Sequence, residues 1–163
     1  MKRLFLIRHA KSDWSEPGQS DFDRKLNPRG LRDAPFMAAM LAERMKKVDL
    51  IISSPANRAI TTARFFAKSL QVSDKEFFTD ERIYEATPAQ LLLIVNAIDD
   101  HVNTAILFGH NPGFSQLSTY LTEALVEMPT CAIAEIEFDL ESWKLISGSS
   151  GNLVQFDYPK KFK

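Results

Sequence analysis

Short runs of hydrophobic residues alternate along this chain with longer segments in which hydrophobic residues recur every three to four positions. The runs at residues 4–7, 49–52 and 104–108 have the length and composition of buried strands. Each run is followed by a periodic segment with one apolar face, which is typical of a helix packed on a sheet. Two of these segments open on a capping residue followed by proline: Asn27-Pro28 and Thr87-Pro88. The alternation predicts an α/β fold with a mostly parallel central sheet and right-handed crossovers.

The last third of the chain has a different pattern. Residues 134–138 and 153–156 alternate between apolar and polar positions, with Gly148 and Gly151 between them. This pattern predicts strands joined by loops, with an antiparallel strand at the edge of the sheet. No repeat or linker interrupts the chain. We therefore expect residues 1–163 to form a single domain, a three-layer sandwich with helices on both faces of the sheet.

Composition narrows the function classes. The chain has 163 residues, of which 45% are hydrophobic, and a formal net charge of -1. This balance argues against disorder and gives no basic field for nucleic acid. The N-terminal apolar run is interrupted by Arg8, well short of the roughly 7–15 residues of a signal peptide. No stretch reaches the roughly 18 apolar residues of a membrane span.

The chain has one cysteine, Cys131, which lies in an apolar stretch. A single thiol cannot form an internal disulfide, and this fits a reducing compartment. Neither nucleic acid nor a membrane is expected as a partner, and the expected location is the cytoplasm.

Polar groups with reactive side chains collect where the predicted strands end. They are Arg8-His9, Ser53-Ser54 followed by Arg58, and His110-Asn111. Since the carboxyl ends of parallel strands face one edge of the sheet, we expect these groups to converge there. A cation in the first turn of a helix, such as Arg58, is unfavourable by itself but favourable beside a bound anion.

Two histidines and two arginines in one site favour phosphoryl transfer. A neutral imidazole is a good nucleophile near neutral pH. Guanidinium groups can stabilise the negative charge of the transferring phosphoryl group, so no metal or other cofactor is required. The pattern predicts one of these histidines as a covalent phosphate acceptor.

A leaving group also benefits from a proton donor. Glu85, just before a predicted helix, is the candidate general acid, although a solvated loop carboxylate is nearly as good an interpretation. Asp13 and Glu16 are weaker candidates. Lys11, Ser12 and Asn111 adjoin the two histidines and can contact phosphate or the leaving group.

These motifs together resemble the histidine phosphatase superfamily, which has the phosphoglycerate-mutase-like fold. Arg8-His9-Ala10 resembles its Arg-His-Gly signature, with alanine in place of glycine. The segments at residues 53–63 and 109–112 resemble its second and third signatures, and residues 23–30 resemble a further common segment. The match follows the correct order from Lys2 to about Gly113.

The short chain and Gly109-His110-Asn111-Pro112 look most similar to the SixA-type phosphohistidine phosphatases. That resemblance implies His9 as nucleophile and Arg8, Arg58 and His110 as the phosphate pocket. It implies, as substrate, a phosphohistidine on a signalling or phosphotransfer protein of the histidine phosphotransfer type. Ser15 stands where the superfamily often has an asparagine that contacts phosphate, and it is the candidate for that contact here.

Three alternatives stay open. The first is a phosphatase or mutase acting on a small phosphorylated metabolite, which would depend on Glu85 more strongly than phosphohistidine hydrolysis does. The second is a non-catalytic phosphate-binding scaffold. The third is a zinc hydrolase with His9, His101 and His110 as ligands, but a strand of roughly 17 Å would separate His101 from His110.

Overall fold

The computed structural model describes the whole chain, residues 1–163, as one α/β sandwich. The six strands are β1 (Lys2–Arg8), β2 (Leu50–Ser53), β3 (Phe77–Thr79), β4 (Thr104–Gly109), β5 (Ile133–Phe138) and β6 (Asn152–Asp157). The four helices are α1 (Pro28–Arg44), α2 (Asn57–Leu70), α3 (Pro88–Asn96) and α4 (Gly113–Thr122). None of these helices combines the length and the apolar character needed to cross a membrane.

The strands form one sheet in the order β3-β2-β4-β1-β5-β6. The first four strands in that order pair in parallel, whereas β5 pairs antiparallel with both β1 and β6. The predicted mostly parallel sheet is therefore confirmed. The strand that reverses direction is β5, one position in from the edge, and the edge strand β6 pairs with it in antiparallel fashion.

Two apolar cores lie on opposite faces of the sheet. Successive residues of β1 serve both: Leu4 and Leu6 belong to one core, and Phe5 and Ile7 to the other. Burial on both faces explains why this strand is a continuous apolar run. Helices α1 and α2 cover one face and α3 and α4 the other, which confirms the three-layer arrangement with helices on both faces.

The spacing of apolar residues in the sequence predicts Leu31 and Leu125 on the inner faces of their helices, but both are exposed. Leu31 is 49% exposed, because the first turn of α1 packs through Gly30, where an added Cβ would meet the Lys11 carbonyl oxygen at 2.1 Å. The buried face of α1 therefore contains Gly30 and Met37 rather than Leu31. Leu125 is 89% exposed because α4 ends at the left-handed Glu123, before the helix reaches it.

Candidate active site

The candidate site lies at the carboxyl ends of three neighbouring parallel strands. His9 directly follows β1, Ser54 follows β2 and His110 follows β4, and the order of these strands in the sheet is β2-β4-β1. The ring centroids of His9 and His110 lie 5.3 Å apart, with the ring planes at 51°. The structure thus brings together two residues that are a hundred positions apart in the sequence.

The backbone around His9 is fixed on every side. The His9 N–H donates to the Gly109 carbonyl at 3.0 Å, and the Cys131 N–H donates to the His9 carbonyl at 3.0 Å. The next residue is tied to α2, because the Ala10 N–H donates to Thr62 Oγ1 at 3.0 Å. The Thr62 hydroxyl in turn donates to the Arg58 carbonyl at 2.7 Å. One threonine therefore connects the chain after β1 to the first turn of α2.

The imidazole of His9 is held in one tautomer. Its Nδ1 lies 2.7 Å from the carbonyl oxygen of Ala10, which can only accept, so Nδ1 carries the proton and donates. The lone pair of the neutral ring is then on Nε2. The Nε of Arg58 donates towards that Nε2 across 3.4 Å. The unprotonated ring nitrogen therefore faces a guanidinium group.

Both histidines are neutral at physiological pH in this environment. Burial lowers the pKa of His9 to about 3, and the nearby positive charges of Arg58 and Arg8 add to this, while the hydrogen bond to Ala10 opposes it. Burial, with Arg58 again contributing, lowers the pKa of His110 to about 4. A neutral His9 has its Nε2 lone pair available for attack.

His110 is held from two sides. Its Nε2 lies 2.8 Å from the hydroxyl oxygen of Ser54, and the ring of Tyr84 meets it edge-on with centroids 5.5 Å apart. Its Nδ1 is buried without a hydrogen-bond partner. Buried polar nitrogens are rarely left unpaired, so this nitrogen is a candidate contact for a ligand oxygen.

The histidines open into a cavity of about 170 Å³. Its lining is strongly basic and contains no carboxylate: Arg8, His9, Lys11, Ser12, Trp14, Arg24, Arg58, His110, Asn111 and Thr130. The Nε atoms of Arg8 and Arg24 are also buried without partners. A small cavity lined by three arginines and a lysine is suited to an anion with several oxygens, such as a phosphoryl group.

The arginines are oriented by the surrounding chain. The Arg8 guanidinium donates from Nη1 to the Met128 carbonyl at 3.0 Å, and that same carbonyl accepts from the Asn111 amide at 2.8 Å. Arg24 donates to the hydroxyl of Ser12. The exposed ring of Trp14 covers its guanidinium group, with 3.5 Å between Arg24 Cζ and the ring centroid. These contacts fix the donors before any ligand arrives.

Asp21 lies behind two of the arginines. Its carboxylate accepts from Arg24 Nη2 at 2.8 Å and from Arg58 Nη2 at 3.0 Å, and its carbonyl accepts from Arg58 Nη1 at 2.6 Å. The Tyr84 hydroxyl also donates to this carboxylate, at 2.6 Å. Burial alone would raise the pKa of Asp21, but these hydrogen bonds hold it well below its ordinary value.

The loop that carries Asp21 and Arg24 is closed at its base. Ser12 forms an antiparallel bridge with Leu26, and the Asp13 N–H donates to the Lys25 carbonyl at 2.8 Å. The Asn27 N–H then donates to the Lys11 carbonyl at 3.0 Å, directly before α1 begins. We call residues 11–26 the clipped loop. Its two ends reach the cavity, and its middle faces solvent.

Most of the sequence-predicted site residues line the cavity, but two do not. Ser15 is exposed, and its N–H donates to Asp13 Oδ1 at 2.7 Å. Glu85 is exposed and has a left-handed backbone with φ of 57°, immediately after Tyr84. Of the weaker acid candidates, Glu16 forms an ion pair with Lys25 at 2.9 Å. The roles assigned to Ser15 and Glu85 stay predictions.

Sequence reasoning missed several residues of the site. Arg24, Asp21, Trp14 and Thr130 were not identified as site residues. The available signal was the resemblance of residues 23–30 to a segment common in the superfamily, which contains Arg24. Nothing local in the sequence identifies Asp21, because its partners Arg58 and Tyr84 are distant in the chain.

The other candidate centres are less suited to chemistry. His101 is exposed, pairs with Asp99 at 2.7 Å and precedes β4, at the opposite end of that strand from His110. The proposed zinc ligands are therefore not brought together. Cys131 is buried, and burial raises the pKa of its thiol. A larger cavity of about 470 Å³ on the outer face of α4 has no histidine or arginine in its lining.

Comparisons with known proteins agree with this geometry. Residues 4–88 match the sequence profile of the Histidine phosphatase superfamily (branch 1). An uncharacterized protein of Mycobacterium tuberculosis is 31% identical over 94% of this chain and 100% of its own length. Phosphoserine phosphatase 1 of Hydrogenobacter thermophilus is 34% identical over 52% of this chain and 39% of its own length.

A solved structure with a similar fold also matches this chain. It is a SixA protein from Agrobacterium tumefaciens, provisionally assigned as a phosphohistidine phosphatase. The TM-score is 0.81 at 27% identity, over 97% of this chain and 98% of that one.

Proposed function

The chain belongs to the histidine phosphatase superfamily, with a SixA-type fold and phosphatase activity, and we propose that it hydrolyses phosphohistidine on a protein through a phosphorylated His9. In this proposal residues 1–163 act as a single histidine-phosphatase domain. His9 is the nucleophile, and Arg8, Arg58 and His110 bind the phosphoryl group, as the sequence motifs predict. Arg24 joins them, because it lines the same cavity.

The state of His9 is the observation that carries the proposal. The Ala10 carbonyl accepts the Nδ1 proton, so Nε2 is left with a lone pair. That nitrogen lies against Arg58, in a cavity that Arg8, Arg24 and His110 also line. A nucleophilic nitrogen and a set of positive donors therefore surround the volume where a phosphorus atom would lie.

In the first step, His9 Nε2 attacks phosphorus as the bond between phosphorus and the substrate nitrogen breaks. The electron pair of the broken bond stays on the leaving imidazole. An imidazole that carries a proton on its other ring nitrogen leaves as a neutral ring, without taking a proton from the enzyme. The arginines stabilise the charge on the equatorial oxygens of the phosphoryl group.

In the second step, a water oxygen attacks the phosphorus of phospho-His9. The bond from phosphorus to Nε2 breaks, and His9 recovers its lone pair. The proton released by the water passes to the departing phosphate or to solvent. An anion in the cavity raises the pKa of His110 from its low value, so His110 can then donate a hydrogen bond to a phosphoryl oxygen.

The lining of the cavity supports phosphohistidine as the substrate. No carboxylic acid reaches the cavity, and Glu85 is exposed. An alkoxide leaving group needs a strong proton donor, whereas an imidazole does not. The similarity to the SixA structure at 27% identity points the same way.

Trapping the phosphoenzyme tests the proposal. Incubation with a ³²P-phosphohistidine protein and rapid quenching should label the wild type at His9, and the label should be lost in His9→Ala. His101→Ala is the matched control, since His101 is exposed and remote from the cavity, and it should be labelled like the wild type. Labelling that persists in His9→Ala would remove the basis of the assignment.

A small phosphate ester is the second candidate substrate. The Hydrogenobacter phosphoserine phosphatase, which matches half of this chain, favours it. This reaction would require Glu85 or another acid to approach the leaving oxygen. The two candidates therefore differ in how strongly they depend on Glu85.

We propose a cytoplasmic location, because a single cysteine fits a reducing compartment. This cysteine is buried and cannot pair within the chain. The proposed partner is a protein that carries phosphohistidine, with a small phosphorylated metabolite as the alternative.

A further inference from the structure

Asp21 is the one carboxylate that contacts the arginines of the site. It does not line the cavity, and its side chain is 46% exposed. Even so, its two oxygens receive hydrogen bonds from Arg24, Arg58 and Tyr84, all within 3.0 Å. The steps of phosphoryl transfer described above do not use it, although it has more contacts with the arginines than any residue inside the cavity.

We propose that Asp21 is a positioning residue, which sets the guanidinium groups of Arg24 and Arg58 for phosphoryl transfer and is itself held by Tyr84. The inference rests on the proposed function, because it concerns the same transfer to His9.

The donors of Arg58 show how this positioning works. A guanidinium group has five N–H donors in a rigid plane. Nη1 and Nη2 each give one to Asp21, and Nε points at His9 Nε2. Two N–H donors remain for the oxygens of a phosphoryl group attached to His9. With its plane fixed from behind, Arg58 need not reorganise when the transition state forms.

Charge gives a second reason for a carboxylate at this position. Arg24 and Arg58 are both buried, at 8% and 5% exposure, and both line the same cavity. Like charges in a small buried volume repel each other. Asp21 lies between them with one oxygen on each, so it offsets this repulsion while the cavity is empty.

Tyr84 completes the arrangement from a different segment of the chain. Its hydroxyl donates to Asp21 Oδ2 at 2.6 Å, and its ring contacts Phe22 and His110 edge-on at 5.3 and 5.5 Å. Tyr84 thus connects the clipped loop to the second histidine. Tyr84→Phe removes this hydrogen bond and leaves both ring contacts in place.

The test compares Asp21→Asn and Tyr84→Phe with Asp23→Asn. Asp23 is two residues along the same loop, and its carboxylate bonds only to the Ser20 hydroxyl, at 2.8 Å. Asp23→Asn therefore removes the same charge from the loop as Asp21→Asn does, but it breaks no contact with an arginine. For each variant we would measure kcat on a phosphohistidine protein, the inhibition constant of inorganic phosphate and the midpoint of thermal unfolding.

If Asp21 is a positioning residue, its replacement should lower kcat without weakening the binding of phosphate. In Asp21→Asn, kcat should fall about 10- to 100-fold, since misplaced catalytic groups cost up to this much. Its phosphate inhibition constant should stay within about threefold of wild type or fall, because the arginines lose a negative neighbour. Tyr84→Phe should lower kcat in the same direction by less, and Asp23→Asn should match the wild type.

Three results would overturn the inference. They are a kcat in Asp21→Asn equal to that of Asp23→Asn, a loss of kcat matched by an equal loss of phosphate affinity, and a gain in kcat. The last would mark Asp21 as a competitor for the arginines. If Asp21→Asn does not fold, Tyr84→Phe decides by the same criteria. Failure of the proposed function would appear separately, as wild type without turnover.

Discussion

Glu85 and His9 occupy very different environments, although the sequence assigns both to catalysis. His9 is 6% exposed and hydrogen-bonded on its Nδ1, whereas Glu85 is exposed and has no hydrogen bond that fixes its side chain. A residue that must transfer a proton has to come within hydrogen-bond reach of the leaving atom. The importance of Glu85 therefore depends on how good the leaving group is.

Glu85→Gln should separate the two candidate substrates. On a phosphohistidine protein we expect kcat/KM to fall less than about threefold, because imidazole leaves without strong acid assistance. On phosphoserine or another alkyl phosphate the loss should be about 10²- to 10⁴-fold, the usual contribution of general acid catalysis. Initial rates on both substrates give the comparison.

Glu81→Gln is the matched control, an exposed carboxylate four residues earlier in the same segment. It should leave both rates unchanged. A large and equal loss on both substrates in Glu85→Gln would contradict the idea that phosphohistidine needs no acid.

At the scale of elements, the site depends on the junction between β1 and α2. Thr62 is fully buried in α2, where its hydroxyl accepts from the Ala10 N–H and donates to the Arg58 carbonyl. The proposed nucleophile, His9, and the proposed phosphate-binding Arg58 are therefore held in register by a single side chain. The adjacent Thr61 makes only a local bond to Asn57 on the outside of the same helix.

Thr62→Val keeps the shape of the side chain and removes the hydroxyl. The Ala10 N–H would then be buried without a partner, which should lower the free energy of unfolding by about 1–3 kcal/mol. We also expect kcat to fall, because His9 loses its register with Arg58. Urea unfolding and initial rates measure the two effects. Thr61→Val should show neither, and a fully stable, fully active Thr62→Val would refute this account.

The elements also show what the sequence can predict and what it cannot. The convergence of His9, Arg58 and His110 could be predicted, because each follows the carboxyl end of a parallel strand, directly or in the first turn of the next helix, and parallel strands bring such ends together. Arg24 and Asp21 were not predicted as site residues, because their positions depend on the pairing of Ser12 with Leu26. No local sequence pattern predicts that pairing. Leu31 was misassigned because Gly30, rather than an apolar side chain, faces the loop.

At the scale of the whole molecule, the buried histidines couple stability to pH. The pKa values of His9 and His110 are lowered from 6.5 to about 3 and about 4. Below about pH 6.5 the unfolded chain therefore binds protons that the folded chain does not. Unfolding then takes up protons, so the free energy of unfolding rises with pH across this window. It decreases as the pH falls from about 6.5 towards 4.

We therefore expect the free energy of unfolding, measured by urea denaturation, to decrease steadily from pH 7 to pH 4. The depressed carboxylates, such as Asp21, act at lower pH, since their stability is lost only as the pH falls below their ordinary pKa of 3.8. The double variant His9→Gln with His110→Gln should flatten the dependence between pH 6.5 and 4. The exposed His101→Gln should retain it, and equal slopes in all three proteins would contradict the coupling.

The clipped loop has a consequence for where this chain can accept extra residues. Its ends are joined by the Ser12–Leu26 bridge, so the mostly exposed residues from Trp14 to Ser20 form a closed loop beside the mouth of the cavity. Doubling the length of such a loop adds only about 0.6 kcal/mol of closure entropy. Insertions in this segment should therefore cost little stability, while the bridge at its base keeps the lining of the cavity in place.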